Sequence, residues 1–156
     1  YYWRDYNGVI PEDAFPGGQD AHGDDVYIGQ IYVNYVGLCV GPIVPGKTEV
    51  EFYCWGYNNA TAGIKILCTS HREYLQWLST SSSSFHLDTI NKHTVIGGYD
   101  QNAEIPHNYN IGRFNRVIGV VDAVTPETVY LYILEEGDQY RRIDNYEVLI
   151  SMKDND

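Results

Sequence analysis

The sequence predicts an all-β protein, and three of its properties lead to that class. Tyrosine, which favours strands, occurs 15 times in 156 residues, whereas Met occurs once. Several short runs alternate apolar or aromatic residues with polar ones, which is the two-residue period of a strand with one buried face. All six prolines lie between these runs, as expected of residues that interrupt strands and begin turns.

The predicted strands fall into two groups, one in each half of the chain. Residues 70–78 could form one or two helical turns, and we leave their structure open. The serine-rich residues 79–84 are predicted to form a flexible surface loop, and residues 153–156 a polar tail. Strands are predicted over 26–36, 49–55 and 64–68 in the first half and over 111–121, 128–134 and 146–151 in the second.

Composition allows a folded core and excludes some partners. Hydrophobic residues make up 44% of the chain, which is enough for a core in a protein of this length. Lys and Arg number 10 against 21 Asp and Glu, and the net charge of −11 argues against a surface that binds nucleic acid or anionic membranes. No stretch approaches the roughly 20 apolar residues of a membrane helix, so we expect no membrane insertion.

The three cysteines are an odd number without a paired Cys-x-x-Cys spacing, which argues against a zinc site. If residues 52–55 and 64–68 form a hairpin, Cys54 lies opposite Cys68, where a disulfide could close. The alternative is two buried thiols that face each other in a reduced core. With the disulfide formed, Cys39 is expected to be free.

The start of the chain and one triplet bear on the compartment. The chain begins at Tyr1 without Met, which fits either a removed signal peptide or a start within a longer polypeptide. Asn59-Ala60-Thr61 is an N-glycosylation acceptor in a predicted turn, although such triplets also arise by chance. We expect a secreted, extracellular protein, with a cytoplasmic location as the alternative.

The strongest internal signal is a duplication, in which several short segments recur in the same order. The two copies are predicted to span residues 1–76 and 77–152, and each is a unit of about 75 residues too small to be stable alone. The recurring segments are Trp3 and Trp77, Gly17-Gly18-Gln19-Asp20 and Gly97-Gly98-Tyr99-Asp100, and Tyr27-Ile28-Gly29 and Tyr109-Asn110-Ile111-Gly112.

This ordered set resembles the DM-nine repeat family of invertebrate proteins, which also forms the front part of natterin-like proteins. A unit of that family carries Trp, Gly-x-x-Pro-x-x-Ala, Gly-Gly-x-Asp, Tyr-Ile-Gly-Arg, Pro-Gly-Lys and Tyr-Glu-x-Leu. Further matches in this chain are Gly8-Val9-Ile10-Pro11-Glu12-Asp13-Ala14, Pro45-Gly46-Lys47, Ile111-Gly112-Arg113 and Tyr146-Glu147-Val148-Leu149.

The resemblance implies a fold and a function. The fold would consist of two tandem antiparallel β units, related by a pseudo-twofold axis, that complete each other with exchanged strands. The function would be that of a non-enzymatic, mannose-binding lectin in innate immunity. Sugar contact in the family falls on the Asp of Gly-Gly-x-Asp and the Lys of Pro-Gly-Lys, which implies Asp20 and Lys47 in the first copy and Asp100 in the second.

Three family positions differ in this chain, and one of them is Gly63-Ile64-Lys65-Ile66-Leu67, which takes the place of Tyr-Glu-x-Leu in the first copy. The place of Pro-Gly-Lys in the second copy is taken by Val121-Asp122-Ala123, which has no lysine, and Gln30 stands where the family has Arg. An ionised Asp accepts hydrogen bonds from two sugar hydroxyls while a Lys ammonium donates them, so Asp20 and Lys47 together could hold a diol. The structural alternatives are an Asp20 that caps its own turn and a Lys47 that is simply solvated after a Pro-Gly turn.

Other chemistries are weakly indicated. We predict no catalytic residue and no cofactor. We also predict no metal, since the acidic segment at 20–25 has Ile31 where a calcium loop needs its bidentate Glu. The alternative function is a structural or small-ligand carrier, for example of a pigment, on the same scaffold with a decayed sugar site. Homodimers are also compatible with units that exchange strands.

Overall fold

The computed structural model describes residues 1–135 and 139–152, and it confirms the predicted all-β class. Thirteen strands belong to one antiparallel sheet and two more form a separate hairpin. The predicted polar tail at 153–156 lies outside the described residues. The first half contains β1 Tyr2–Asp5, β2 Pro16–Gln19, β3 Asp25–Val33, β4 Gly37–Ile43, β5 Val50–Tyr53, β6 Tyr57–Ala60 and β7 Ile64–Cys68.

The second half contains a similar series of strands and one short helix. A 3-10 turn, Arg72–Tyr74, leads into it. Its elements are β8 Leu75–Ser81, α1 Phe85–Asp88, β9 His93–Thr94, β10 Ile96–Asp100, β11 His107–Phe114, β12 Val117–Asp122, β13 Leu131–Leu134, β14 Tyr140–Ile143 and β15 Asn145–Ser151.

Strand pairing in the first half recurs in the second. β7 pairs with β1 and β3, as β15 pairs with β8 and β11; β3 pairs with β4, as β11 pairs with β12. The registers also agree, because Gly29 lies opposite Ile66 and Gly112 opposite Val148. The origin of the halves as copies of one DM-nine unit stays a prediction.

Each half also packs its glycine strand, which is β2 with Gly17-Gly18 or β10 with Gly97-Gly98, against the other half. β10 pairs with β4, with Tyr99 opposite Leu38. At the related place, the Gln19 N–H donates to the Arg116 carbonyl at 3.3 Å. A Cβ on Gly98 would collide with the Leu38 carbonyl, and one on Gly18 with the Arg116 carbonyl. Glycine is therefore required where the two halves meet.

The hydrophobic core is continuous across the halves. One cluster of buried side chains draws on both, and two further clusters lie one in each half. A core shared in this way makes each half depend on the other for burial. The shared cluster contains Phe15, Ile28, Val40, Tyr53 and Leu67 from the first half and Leu75, Val95, Tyr109, Ile111, Ile118, Val120 and Leu149 from the second.

Several predicted elements were wrong in extent. The run at 111–121 is two strands rather than one, because Asn115 (φ 48°) and Arg116 (φ 71°) form a two-residue turn with left-handed backbone. The run at 26–36 ends as a strand at Val33. Residues 70–78, whose structure the sequence left open, contain a 3-10 turn at Arg72–Tyr74 and the start of β8.

The serine-rich segment at 79–84 is not a flexible loop. Its first residues complete β8, which pairs along its whole length with β15, and the rest lead into α1. Thr80 and Ser82 are buried, and Thr80 donates a hydrogen bond to the Asp88 carboxylate at 2.8 Å. Serines that pair in a sheet and bond to a nearby carboxylate are ordered, which composition alone does not reveal.

Candidate functional site

The disulfide prediction was wrong. Cys54 is bonded to Cys39, with Cα atoms 6.1 Å apart, and Cys68 is the free, buried thiol. The hairpin that would have joined Cys54 to Cys68 does not form, because β7 pairs with β1 and β3, with Tyr2 opposite Cys68. Burial raises the pKa of the Cys68 thiol to about 11, so it stays protonated and unreactive at neutral pH.

A tight turn explains the different partner of Cys54. Trp55 (φ 56°) and Gly56 (φ 133°) have left-handed backbone, and the Cys54 N–H donates to the Gly56 carbonyl at 2.9 Å. The chain therefore reverses at Trp55, and β5 pairs with β6 instead of continuing toward β7. A non-glycine residue with positive φ in this position was not predictable from the pattern of apolar residues.

Asp20 lies in the turn between β2 and β3 and is half-buried. Its Oδ1 accepts the backbone N–H groups of His22 at 2.9 Å and Asp24 at 3.0 Å. These bonds fix the carboxylate as a turn cap, which was the structural alternative for this residue. Among the residues that the structure describes, Oδ2 has no hydrogen-bond partner, so the cap leaves one oxygen for a ligand.

Lys47 lies in the turn after β4 and is exposed. Its backbone N–H donates to the Val44 carbonyl at 3.2 Å, while its ammonium forms no hydrogen bond or ion pair within residues 1–135 and 139–152. Tyr27 lies opposite Ile43, so β3 begins where β4 ends. The turns that hold Asp20 and Lys47 consequently lie at the same end of the sheet.

Asp100 occupies the related turn of the second half but is 6% exposed. Its Oδ1 accepts the Asn102 backbone N–H at 3.0 Å, and its Oδ2 accepts the Tyr109 hydroxyl at 2.8 Å. The same hydroxyl accepts a hydrogen bond from the Trp55 indole at 2.9 Å. Both carboxylate oxygens of Asp100 are therefore occupied inside the protein.

The sheet register explains why the two aspartates differ. Tyr109 lies opposite Gly98 across a bulge, and the residue opposite Gly18 at the same bulge in the first half is Val26. Sequence similarity had matched Tyr109 with Tyr27, one residue along. Because Val26 has no hydroxyl, nothing in the first half plays the part that Tyr109 plays for Asp100.

The register also locates the missing lysine. Gly41 lies opposite Gly29, and Gly119 opposite Gly112, so the residue at the place of Lys47 is Thr125 if the following turns are equally long. The sequence comparison had placed the change at 121–123, two residues earlier. Thr125 Oγ1 donates to the Thr128 carbonyl, so it serves its own turn.

A histidine and an aspartate lie beside Asp100. His107 Nε2 is 2.8 Å from Asp122 Oδ1, and both side chains are mostly buried, at 16% and 12% exposed. The approach is outside hydrogen-bond geometry, so the contact is an ion pair only when the ring is protonated. The first half has Asp24 at the place of His107, since Asp20 N donates to Asp24 O at 2.9 Å.

Gln30 and Arg113 occupy matching positions in the two halves and make the same kind of contact. Gln30 Nε2 donates to the Gly97 carbonyl at 3.0 Å, and Arg113 Nη1 donates to the Gly17 carbonyl at 3.2 Å. Arg113 additionally holds Glu147 with two hydrogen bonds, of 3.0 and 3.1 Å. Either side chain can thus secure the glycine strand of the other half.

The remaining candidates are a glycosylation site and metals. Asn59 lies on the exposed strand β6 rather than in a turn, and its glycosylation stays a prediction. Within the described part of the chain, no group of three or more His, Cys, Asp and Glu side chains could hold a metal ion. Over the same residues, no helix is long and apolar enough to cross a membrane.

Comparison with known proteins adds no name to this site. No protein-family model matches the chain, and no curated protein matches it.

The structure does bring forward residues that the sequence did not single out. Trp55 is 53% exposed with strained backbone, and it contacts Tyr53 and Tyr132.

Proposed function

We propose that the protein is a non-enzymatic, lectin-like carbohydrate-binding protein of recognition or defence that prefers mannose, with its site at Asp20 and Lys47. The observation that supports this proposal is that Asp20 Oδ2 and the Lys47 ammonium, at the same end of the sheet, both have no partner within residues 1–135 and 139–152. The resemblance to DM-nine lectins, in which these two positions contact sugar, supports the same assignment.

The chemistry requires one acceptor and one donor. Asp20 Oδ2 accepts from a sugar hydroxyl, while the Lys47 ammonium donates to that hydroxyl or its neighbour. The bonds from His22 and Asp24 to Oδ1 keep the carboxylate oriented before the sugar arrives, which lowers the ordering cost. Two charge-assisted bonds of about 1.5–3 kcal/mol each, less that cost, correspond to an affinity near millimolar.

Secretion is part of the proposal. The Cys39–Cys54 bond supports it, because disulfides persist in oxidising compartments and are rare in the cytosol. The contact with glycans would then take place outside the cell. Peptide mapping of protein from its natural source, without reductant, tests this part: a reduced Cys39 would contradict it.

Mannose-agarose retention and a glycan array test the sugar site. Lys47→Ala should weaken mannose binding about 10–100-fold, because it removes the charged donor. Lys92→Ala is the matched control, since Lys92 is also exposed and should leave binding unchanged. Failure of the unsubstituted protein to bind any mannose-containing glycan would refute the proposal.

The second half supplies a further control. Asp100→Asn should leave mannose binding unchanged, because Asp100 is buried with both oxygens in use. Loss of binding in this variant, with the fold intact by circular dichroism, would indicate a sugar site in the second half and contradict the site proposed at Asp20 and Lys47.

The alternative function is a structural or small-ligand protein whose sugar site has decayed, and the buried Asp100 favours it for the second half. A cavity lined by Tyr53, Trp55 and Tyr109 among others, the last of which bonds to Asp100, has a volume of about 10 Å³. That is room for about one water molecule and not for a pigment. Visible absorbance that co-purifies with the protein would favour the alternative.

A further inference from the structure

Three apolar side chains form a row on the surface, at the opposite end of β3 from Asp20. Tyr32 lies opposite Leu38, and Leu38 lies opposite Tyr99, so the three project from the same face of β3, β4 and β10. Tyr32 is 57% exposed and Tyr99 is 39% exposed. We call Tyr32, Leu38 and Tyr99 the tyrosine row.

A cleft of about 290 Å³ opens beside the tyrosine row. Tyr32 and Leu38 form part of its lining, and Tyr6 lies there too. The Tyr6 hydroxyl is buried and has no hydrogen-bond partner among the described residues. A buried polar group without a partner costs free energy unless a water or a ligand satisfies it.

The cleft has a polar rim that carries both charges. Lys65 Nζ lies 3.4 Å from Asp5 Oδ1, and these side chains are 49% and 92% exposed. An exposed pair of this kind contributes little to stability, so either group can turn to a ligand at small cost. Because the charges cancel, the rim favours a neutral molecule with hydroxyl groups over an ion.

The row is not a general feature of the two halves. At the related place, the register puts Asn115 and Arg116 of the second half at the positions of Tyr32 and Leu38. It puts Gln19 of the first half at the position of Tyr99. Those positions line a polar cleft of about 480 Å³. One fold therefore carries an aromatic surface at one place and a polar one at the related place, so the backbone does not dictate the row.

We propose that the tyrosine row and its cleft form a second carbohydrate site, for a chain of β-1,4-linked glucose units. A glucose ring with equatorial hydroxyls has two apolar faces, which stack on aromatic side chains, whereas the axial 2-hydroxyl of mannose interrupts one of them. The rim residues Asp5 and Lys65 meet the equatorial hydroxyls, which both donate and accept hydrogen bonds.

Spacing favours a chain over a single sugar. Tyr32 and Tyr99 stand two strands apart, which is about 10 Å at the usual distance between neighbouring strands. Two consecutive units of a β-1,4-linked glucan span a similar length, so the two tyrosines face every second unit, with one unit between them, and the site needs a chain of at least three units. The turn that begins β3 is about 23 Å away along the strand, so this site is independent of Asp20 and Lys47.

Titration with cellotetraose, followed by chemical shifts of the full chain, tests the proposal. Saturable binding in the millimolar range is expected, and Tyr32→Ala or Tyr99→Ala should weaken it about tenfold through loss of stacking. Tyr32→Phe keeps the ring and should retain binding. Tyr35→Ala is the control, because Tyr35 is 83% exposed in the adjoining turn and lies outside the row.

Three outcomes would overturn the proposal: no saturable binding of cellotetraose, equal weakening by Tyr35→Ala, or shifts confined to the Asp20 end of the sheet. Lys47→Ala separates this site from the mannose site, since it should abolish mannose retention and leave cellotetraose binding unchanged. A protein that binds cellotetraose but not mannose would refute the function proposed above and support this site.

Discussion

Asp20 and Asp100 occupy matching places in two halves that share most of their strand pairing, yet of the two only Asp20 has a carboxylate oxygen without a hydrogen-bond partner among the described residues. The difference does not come from the aspartates or from the glycines before them. It comes from the residue opposite the second glycine, which is Val26 in one half and Tyr109 in the other. A cross-strand tyrosine hydroxyl thus occupies the carboxylate oxygen of Asp100, whereas the valine at the matching position leaves that of Asp20 available.

A second comparison shows compensation instead of loss. Arg113 with Glu147 and Gln30 with Lys65 occupy matching positions, and both the arginine and the glutamine reach a glycine carbonyl of the other half. The polar contact that joins the halves is kept, while the ion pair beside it is present only with Arg113. The contact that joins the halves is therefore kept by two different side chains, whereas the free carboxylate oxygen of Asp20 depends on a single neighbouring residue.

The largest expected difference between the halves is the disulfide, which cross-links only the first. Cys39 and Cys54 are 15 residues apart, and closing a loop of that length stabilises a protein by about 3 kcal/mol. Reduction with dithiothreitol should lower the free energy of unfolding by about that amount in a urea titration. The double variant Cys39→Ala, Cys54→Ala should have the lower stability from the start and not respond to reductant.

Mass spectrometry of the unreduced digest identifies the bonded pair directly. A peptide that joins the segments around Cys54 and Cys68 would contradict the structure and return the pairing to the one that the sequence suggested. If the Cys39–Cys54 bond is shown to form but reductant does not change the unfolding midpoint, the pairing stands and only the predicted stabilisation is contradicted.

The next largest effect on stability is expected from the Tyr109 hydroxyl, which has no counterpart in the first half. Tyr109→Phe removes its bonds to Asp100 and Trp55 and leaves a buried carboxylate oxygen without a partner, so the free energy of unfolding should fall by about 2 kcal/mol. Tyr27→Phe is the control, because the Tyr27 hydroxyl makes no hydrogen bond within the described residues. We expect it to change stability by less than about 0.5 kcal/mol.

The same variant should alter how stability depends on alkaline pH. Burial, followed by the hydrogen bond to Asp100, raises the pKa of Tyr109 well above the ordinary value near 10. Above pH 10 the unfolded phenol loses its proton while the folded one keeps it, so stability present below pH 10 is lost as pH rises. The loss should be shallower in Tyr109→Phe, and an unchanged slope would contradict the assignment.

Sequence patterns identified the fold class and many of the strand positions but not the pairing around Cys54. The alternation of apolar residues is a local property, and it located β7 and β15 well. Which strands pair depends on turns such as Trp55-Gly56 and Asn115-Arg116, whose left-handed backbone residues are not glycine alone. The pattern therefore ran through both turns, and the disulfide partner was assigned wrongly as a consequence.

The candidate site was predictable only in part for a similar reason. Asp20, Lys47 and Asp100 could be chosen by motif, but their availability depends on cross-strand neighbours. A bulge shifts that neighbour by one residue, so motif alignment matched Tyr109 with Tyr27 when the sheet matches it with Val26. Tyrosines such as Tyr32 and Tyr99 can be named from the sequence as candidates to pack against a sugar, but their alignment in one row was not predictable, since the members lie on three separate strands.

The smallest expected difference concerns Arg113, and it tests whether a glutamine at this position, like Gln30 in the first half, can replace it. Arg113→Gln should keep the hydrogen bond to the Gly17 carbonyl, as Gln30 keeps the one to Gly97, while the bonds to Glu147 and the stacking on Trp77 at 4.3 Å are lost. Because Arg113 and Glu147 are 25% and 35% exposed, water replaces much of that interaction, and we expect a loss of about 1 kcal/mol. Arg113→Ala, which also removes the bond to the glycine strand, should cost about 1 kcal/mol more in the same urea titration. If the two variants were equally destabilised, the hydrogen bond to the Gly17 carbonyl would contribute nothing to stability. Gln30 and Arg113 would then match in position without a matching contribution to the free energy of unfolding.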